Sequence, residues 1–241
     1  MNNINEFKKL FDQIAYGHNA SIVFDDFMKI CICAFSRNIL TGLSNYEDEY
    51  LEIIKPYIKS GKIEKIPHLL AIMIDYMETE KDNSSGNDLL GSFYEQELSK
   101  GRNGQFFTPF HICKFMAQIT EGEEQKSLNV LDPACGSGRM LLAHSKNSNS
   151  RHNYYGIDID PMCVRMATIN LFLNGLKGEV LCGNSLFPDD FSFSYRVSFF
   201  PLGIFKIENK VQSILWNLHK NSFSIRPEIP VIKKPEQLIL F

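Results

Sequence analysis

Ten residues in the second half of the chain, "LDPACGSGRM" (Leu131 to Met140), constrain the fold more than any other stretch. A short apolar run, "LNVLD", is broken by Pro133 and by two glycines that flank Ser137, and helix-forming residues resume at once. A turn this tight and this poor in side chains lets a ligand reach the backbone. Where such a turn opens a helix, free N–H groups and the helix dipole favour an anionic group. The same rhythm then repeats. "YYGID" reads as a second strand, "PMCVRMATINLFLNGL" as a second helix and "GEVLCGN" as a third strand. "YRVSFF" is a candidate fourth strand and "KIENKVQSILWNLHK" a further helix. Strand–helix alternation of this kind predicts an α/β fold with a parallel, doubly wound sheet.

The first eighty residues have a different period. "EFKKLFDQI" places Phe7, Leu10, Phe11 and Ile14 on one helical stripe, and "SIVFDDFMKICICAFSRNIL" places Phe24, Phe27, Met28, Cys31 and Phe35 on another. "YEDEYLEIIKPYIKSG" and "KIEKIPHLLAIMIDYMETE" predict two more helices, perturbed or delimited by Pro56 and Pro67. "EKDNSSGND" is polar and rich in turn formers, and marks a linker. "DLLGSFYEQELSKG" resumes a helix that should close at Gly101. The predicted organisation is a helical domain over 1–87, an α/β domain over 88–226 and an extended tail over 227–241.

With 44% hydrophobic residues, the chain has enough apolar material for a sizeable core. Its formal charge of −3 shows no basic footprint in bulk, although a local basic face is compatible with it. No apolar run approaches a membrane span of about 18 residues, and the first residues lack a signal-peptide core. The six cysteines fit neither a zinc site nor a disulfide framework, so the expectation is reduced thiols in the cytoplasm and no metal.

Three successive strand ends carry the candidate chemistry. Gly136 and Gly138 allow close approach to the backbone after the first strand. Their pattern, D-P-A-C-G-S-G, is neither the dinucleotide fingerprint nor a P-loop, and suits a small carboxylate end better than a pyrophosphate. Asp158 closes the second strand, where an acidic residue takes both hydroxyls of a ribose. Read alone, an aspartate there is more often a helix N-cap, and its place ahead of Pro161 is consistent with that. Asn184, after the third strand, offers an acceptor for an adenine amino group, and Leu186 a cover for its ring. An amino-acid end, a ribose and an adenine, in that order, describe S-adenosylmethionine.

"GQFFTPFHICKFM", "LDPACGSGRML", "GIDIDPMCVRMATINLFLNG" and "GNSL" resemble successive motifs of the adenine-N6 DNA methyltransferase family, nearest the modification subunits of type I restriction–modification systems and short methylase-like proteins of mobile elements. The resemblance is strongest from about Asp88 to Leu186. It implies a Rossmann-like S-adenosylmethionine-dependent methyltransferase sheet, here truncated, behind an N-terminal helical domain. It assigns Gln105, Phe106, Thr108 and Pro109 to the cofactor pocket. With them go Asp132, Pro133, Ala134, Gly136, Ser137 and Gly138 of the first turn, Asp158 and Ile159 of the second, and Asn184, Ser185 and Leu186 of the third. The residues themselves also read Thr108 as the N-cap and Pro109 as the first residue of the next helix.

The family flips its target base out of the duplex. The exocyclic amine of adenine is a weak nucleophile because its lone pair is delocalised into the ring. The family answers with Asn/Asp-Pro-Pro-Tyr/Phe at the end of the fourth strand, which accepts the amine hydrogens and stacks on the base. Here "YRVSFFPLGIF" stands in that place, so Phe199, Phe200, Pro201 and Leu202 align with the tetrapeptide and supply no side-chain acceptor. No catalytic residue is assigned. Two readings follow: an adenine-specific methyltransferase of restriction–modification type, acting by altered acceptors or completed by a partner chain, or a catalytically inactive binding or regulatory module. The expected partners are DNA, held weakly by the chain alone, and a specificity or restriction subunit. Gln237, Leu238, Leu240 and Phe241, at the end of the tail, resemble the peptide that docks on the bacterial sliding clamp.

Overall fold

The computed structural model describes residues 3–36, 46–79, 88–99, 106–120, 129–148, 151–187, 189–199 and 202–218. Gln105, Gly101, Phe200, Pro201 and the C-terminal segment with Gln237, Leu238, Leu240 and Phe241 lie outside these residues.

Four helices come first: α1 (Asn3–Ala15), α2 (Ala20–Phe35), α3 (Glu47–Lys59) and α4 (Lys65–Thr79). Phe7, Phe11 and Ile14 of α1 and Phe24, Phe27, Met28 and Cys31 of α2 are buried, as their spacing requires. Asn19 caps α2 by accepting from the N–H groups of Ser21 and Ile22. Neither proline ends its helix. Pro56 lies in the last turn of α3, and Pro67 lies in the first turn of α4, where an N–H has no helical partner to lose. The segment expected as one more α-helix is instead α5 (Leu89–Phe93) running into a π-helical turn, Tyr94–Ser99. α6 follows (Phe110–Thr120).

The sheet has five strands in the order β1 (Asn129–Asp132), β2 (Asn153–Asp158), β3 (Lys177–Cys182), β4 (Phe193–Phe199) and β5 (Leu202–Ile207). β1, β2 and β3 are parallel, joined by α7 (Arg139–Asn147) and α8 (Pro161–Leu173). The expectation of a wholly parallel sheet fails after β3. β4 pairs antiparallel with β3, Cys182 facing Phe193 and Gly178 facing Val197, and β5 pairs antiparallel with β4. The sheet is therefore mixed. "KIENKVQSILWNLHK" is not one helix either: its first residues belong to β5, a 3-10 turn covers Lys210–Gln212, and a short helical turn spans 214–218.

One apolar core runs without a break from Phe7 of α1 to Ile204 of β5, through α2, α4, α5 and α8. Phe93 is its hinge, with its ring 4.9 Å from Phe11, 5.1 Å from Phe7 and 5.5 Å from Phe24. The helices over 3–79 and the sheet thus share a core, and the change at 87/88 is one of architecture within it. On the opposite face of the sheet, Tyr155, Ile157 and Leu181 are covered by Leu215 and Trp216. All six cysteines are buried and free of disulfides. Burial pushes the thiols of Cys33, Cys113 and Cys182 up to about 11, so they stay protonated at neutral pH. Among the described residues no helix is long and apolar enough to cross a membrane.

Candidate functional site

The carboxyl ends of β1, β2 and β3 open into one cleft of about 370 Å³. The place follows from topology, because parallel strands release their connecting turns at that edge. Of the expected residues, Phe106, Pro133, Ala134, Gly136, Asp158, Ile159, Asn184, Ser185 and Leu186 line it. Phe107, Cys163 and Gly183 line it too, without having been expected.

Gly136 and Gly138 both have positive φ, +51° and +86°, which L side chains rarely adopt. A Cβ on Gly136 would also lie 2.9 Å from the Phe107 ring. Gly138 is the N-cap of α7 and offers no side-chain acceptor, so its backbone alone closes the helix.

Asp158 is not the cap of α8. Asp160 is, accepting from the N–H of Met162 at 2.8 Å ahead of Pro161. Asp158 is thereby left to join the turns: its Oδ2 accepts from Gly136 N–H at 2.8 Å and its Oδ1 from Asp160 N–H at 2.9 Å. The Gly136 N–H expected to meet an anionic ligand is therefore spent on Asp158. Each carboxylate oxygen retains a lone-pair site for a further donor. The third turn is tied to the same strand by Gly183 N–H donating to Asp158 O at 2.9 Å. Asn184 differs from expectation: its Oδ1 accepts from Leu186 N–H at 3.0 Å and so serves the turn first.

The remaining expected residues lie outside the cleft. Asp132 accepts from the N–H of Ala134 at 3.1 Å and shapes the first turn from behind. Ser137 is buried and donates to Asp88. Thr108 is not an N-cap, because α6 opens one residue later, on the carbonyl of Pro109, which accepts from Ile112 and Cys113. The carbonyl of Thr108 instead accepts from Arg139 at 3.4 Å.

Sequence reasoning missed two groups. The first is a buried hub on Asp88, whose side chain accepts from Gly91 N–H, Asn170 Nδ2, Ser137 Oγ and Arg139 Nε at 2.8, 2.8, 2.5 and 2.7 Å. It locks the start of α5, the glycine turn, α7 and α8 together. The second is Tyr94 in the π-helical turn, stacked on Phe107 at 6.0 Å. Burial, with the charges of Asp160 and Asp158 nearby, holds its hydroxyl up at about 12. A π turn inside a helix is a common mark of a functional region.

These residues fit S-adenosylmethionine. Asp158 presents two acceptors to a vicinal diol. Ile159, Leu186 and Phe106 leave 68%, 76% and 74% of their surface exposed around the cleft, an apolar rim sized for a heteroaromatic ring. When bound, the cofactor would supply an electrophilic methyl group, and these residues would hold its ribose and ring.

Burial raises the carboxyls of Asp158 and Asp132 above the usual aspartate range, against their backbone N–H partners, and the charge of Asp160 adds to the rise at Asp158 as that of Asp158 does at Asp132. Ribose hydroxyls need the ionised, acceptor form. Cofactor affinity should be complete above the raised pKa of Asp158 and lost as pH falls through it, starting at a higher pH than for an ordinary aspartate. Calorimetric titration from neutral to mildly acidic pH should show this loss, and Asp158→Asn should flatten it. A wild-type affinity constant across that range is incompatible with the assignment.

An α/β sheet with three ligand-facing turns and an acidic residue closing β2 defines a nucleoside-cofactor-binding domain of the methyltransferase kind. Comparison with known proteins narrows this. The profile of the N-6 DNA methylase family matches residues 85–226. The chain belongs to that family, and S-adenosylmethionine is the cofactor membership implies. It is 28% identical over 161 residues to the type I restriction enzyme MjaVIII methylase subunit of Methanocaldococcus jannaschii, covering 62% of this chain and 27% of that protein. It is 32% identical over 125 residues to the MpnII methylase subunit of Mycoplasma pneumoniae, covering 48% and 23%. It is 34% identical over 118 residues to the type II restriction enzyme and methyltransferase RM.BcgI of Heyndrickxia coagulans, covering 42% and 18%. The chain spans about a quarter of the length of the relatives it matches, or less.

Proposed function

We propose that the chain is the cofactor-binding part of an adenine-N6 DNA methyltransferase of restriction–modification type, whose acceptor part comes from another polypeptide segment. The observation that carries this reading is the convergence of Gly136, Asp158 and Leu186 in one cleft at three adjacent strand ends. Two further observations support its second half. Phe199, which aligns with the start of the family's catalytic tetrapeptide, is not near the cleft. β4 runs antiparallel, so Phe199 ends at the amino edge of the parallel strands, about 17–20 Å of strand length away. And β1, the strand that leads into the glycine turn, pairs only with β2 among the described residues. Its Leu131 is 46% exposed, and α6 exposes Ile112, Phe115, Met116 and Ile119 at helical spacing. An open strand edge with apolar surface around it is where further strands add.

In this reading DNA and a specificity or restriction subunit are partners of the assembled enzyme. The displaced Phe199 also favours the second reading, a module that binds cofactor and regulates without transferring methyl groups. Tritiated methyl transfer to unmethylated DNA separates them. Incorporation at adenine N6 only after host lysate is added supports the completed enzyme. Cofactor binding with no incorporation in either arm leaves the module. Incorporation by the purified chain alone would overturn the claim that its acceptor part is missing.

A further inference from the structure

Phe107 lines the cleft at the strand ends and closes on its glycine turn. A Cβ added to Gly136 would lie 2.9 Å from two atoms of the Phe107 ring, so the ring sits against the bare backbone of the turn. Its place therefore sets the width of the cleft beside Gly136. No backbone ladder fixes that place. Residues 106–109 belong to no helix and no strand, and α6 starts at Phe110. The ring is held by other side chains.

Arg139 and Tyr94 both meet it. The guanidinium of Arg139 lies 5.4 Å from the ring centroid and is itself anchored on Asp88 at 2.7 Å. Tyr94 stacks on the ring, with centroids 6.0 Å apart and planes 28° from parallel. Tyr94 is in turn backed by Phe24 of α2, at 6.0 Å and 22°. Phe24 is fully buried, and its ring also meets Phe11 and Phe93 at 6.1 and 5.5 Å. Stacking of this kind, with the rings offset, is a favoured aromatic geometry. Three rings in series thus run from the core to the cleft wall. Tyr94 opens the π turn, while its neighbour Phe93 enters the core. Tyr94 is not itself among the residues that line the cleft, and it meets the cleft through Phe107.

We propose that Tyr94 is a positioning residue of the cofactor site: its ring sets where Phe107 stands against the glycine turn, and through Phe107 it sets the fit of the bound cofactor. The proposal rests on the reading of this cleft as a site for S-adenosylmethionine. The ring face carries the effect and the hydroxyl does not, because what Tyr94 presents to Phe107 is a flat aromatic surface. A residue that holds a binding wall in place acts on affinity without touching the ligand.

The test is calorimetry of the full chain with S-adenosylhomocysteine, well below the melting range of each variant. Tyr94→Leu keeps an apolar side chain and removes the flat face, and it should weaken binding about tenfold, the weight of one good aromatic pair. Tyr94→Phe restores the face and should bind within about twofold of the wild type. Phe107→Leu should weaken binding on its own. Tyr94→Leu added to Phe107→Leu should then cost nothing further, because one residue acts through the other. Should Tyr94→Leu fail to fold, Tyr94→Met fills the same space without a ring face and takes its place in every arm. Wild-type affinity in Tyr94→Leu overturns the proposal. So does Tyr94→Phe binding as weakly as Tyr94→Leu, which would move the role to the hydroxyl. So does a double variant whose loss is the product of the two single losses, since Tyr94 would then act apart from Phe107. A merely structural Tyr94 would lower the melting temperature and leave affinity unchanged in the folded protein. Absence of binding by the wild type would fail the cofactor reading itself, whereas the other adverse outcomes leave that reading standing.

Discussion

Asp158→Ala is expected to weaken S-adenosylmethionine binding by about tenfold or more while leaving the fold intact. Among the described residues the carboxylate is the only acidic side chain lining the cleft, and in the proposed reading its two oxygens are the acceptors for the ribose. Removing it leaves two hydroxyls without partners in a half-enclosed site, at a cost of about 1–3 kcal/mol. Each 1.4 kcal/mol is a factor of ten in affinity. The fold should tolerate the change for two reasons that act together. The N–H groups of Gly136 and Asp160 lose an acceptor, but they lie at a cleft that water enters. The mutation also removes a carboxylate whose own burial opposes its charge. Calorimetry and thermal melting on the same preparation separate the two effects. Asp158→Asn, which keeps one acceptor oxygen, should fall between wild type and alanine. Equal affinity in all three proteins would mean that the ribose, or the cofactor itself, lies elsewhere.

What the sequence made legible was local. Each ligand-facing turn is built from residues that follow one another along the chain, so "DPACGSG" and "GIDID" carry their own geometry. The caps shifted by one or two residues, Asp160 in place of Asp158 and Pro109 in place of Thr108, because a run of neighbouring oxygens offers several registers and packing selects one. The Asp88 hub was not legible. Its partners Ser137, Arg139 and Asn170 lie 49, 51 and 82 residues away, and no periodicity connects them. A polar residue beside a linker reads as solvated until the chain folds over it. The direction of β4 was lost differently. Phe199 pairs with Leu202 across two residues, which is hairpin spacing, and the Pro in "FFPLG" is a turn signal in the sequence. Expecting the helix–strand rhythm to continue hid that signal.

The hub is also where a single substitution should cost most. Asp88 is fully buried, and Arg139 is 8% exposed, so their ion pair is almost wholly out of water. Such a pair gains little over an apolar isostere, because desolvation offsets attraction, but losing one partner strands the other charge. Asp88→Ala would leave the Arg139 guanidinium buried with only longer contacts, at 3.4 Å, to Glu95, Ser92 and Thr108 O. It would also orphan the Gly91 N–H and the Ser137 hydroxyl. The expected loss is about 3–5 kcal/mol, a large part of the stability of an ordinary domain. For a chain of this size that is a fall of roughly 10 °C or more in melting temperature. Packing forbids an easy repair. A Cβ on Gly91 would lie 2.2 Å from the Asp88 carboxylate and 2.4 Å from Ser137 Oγ, so the segment is drawn tight around this charge. The double variant Asp88→Ala with Arg139→Met separates the pair from the site. It removes both charges and keeps an apolar stem near Phe107, over which the guanidinium sits at 5.4 Å. It should melt higher than Asp88→Ala alone, the coupling that a buried pair requires. Because Ser137 and Arg139 flank Gly138, both variants should also loosen the glycine turn and weaken cofactor binding below the melting range. If Asp88→Ala melts with the wild type, the carboxylate does not hold these elements together, and the turn must owe its shape to Asp158 and the glycines alone.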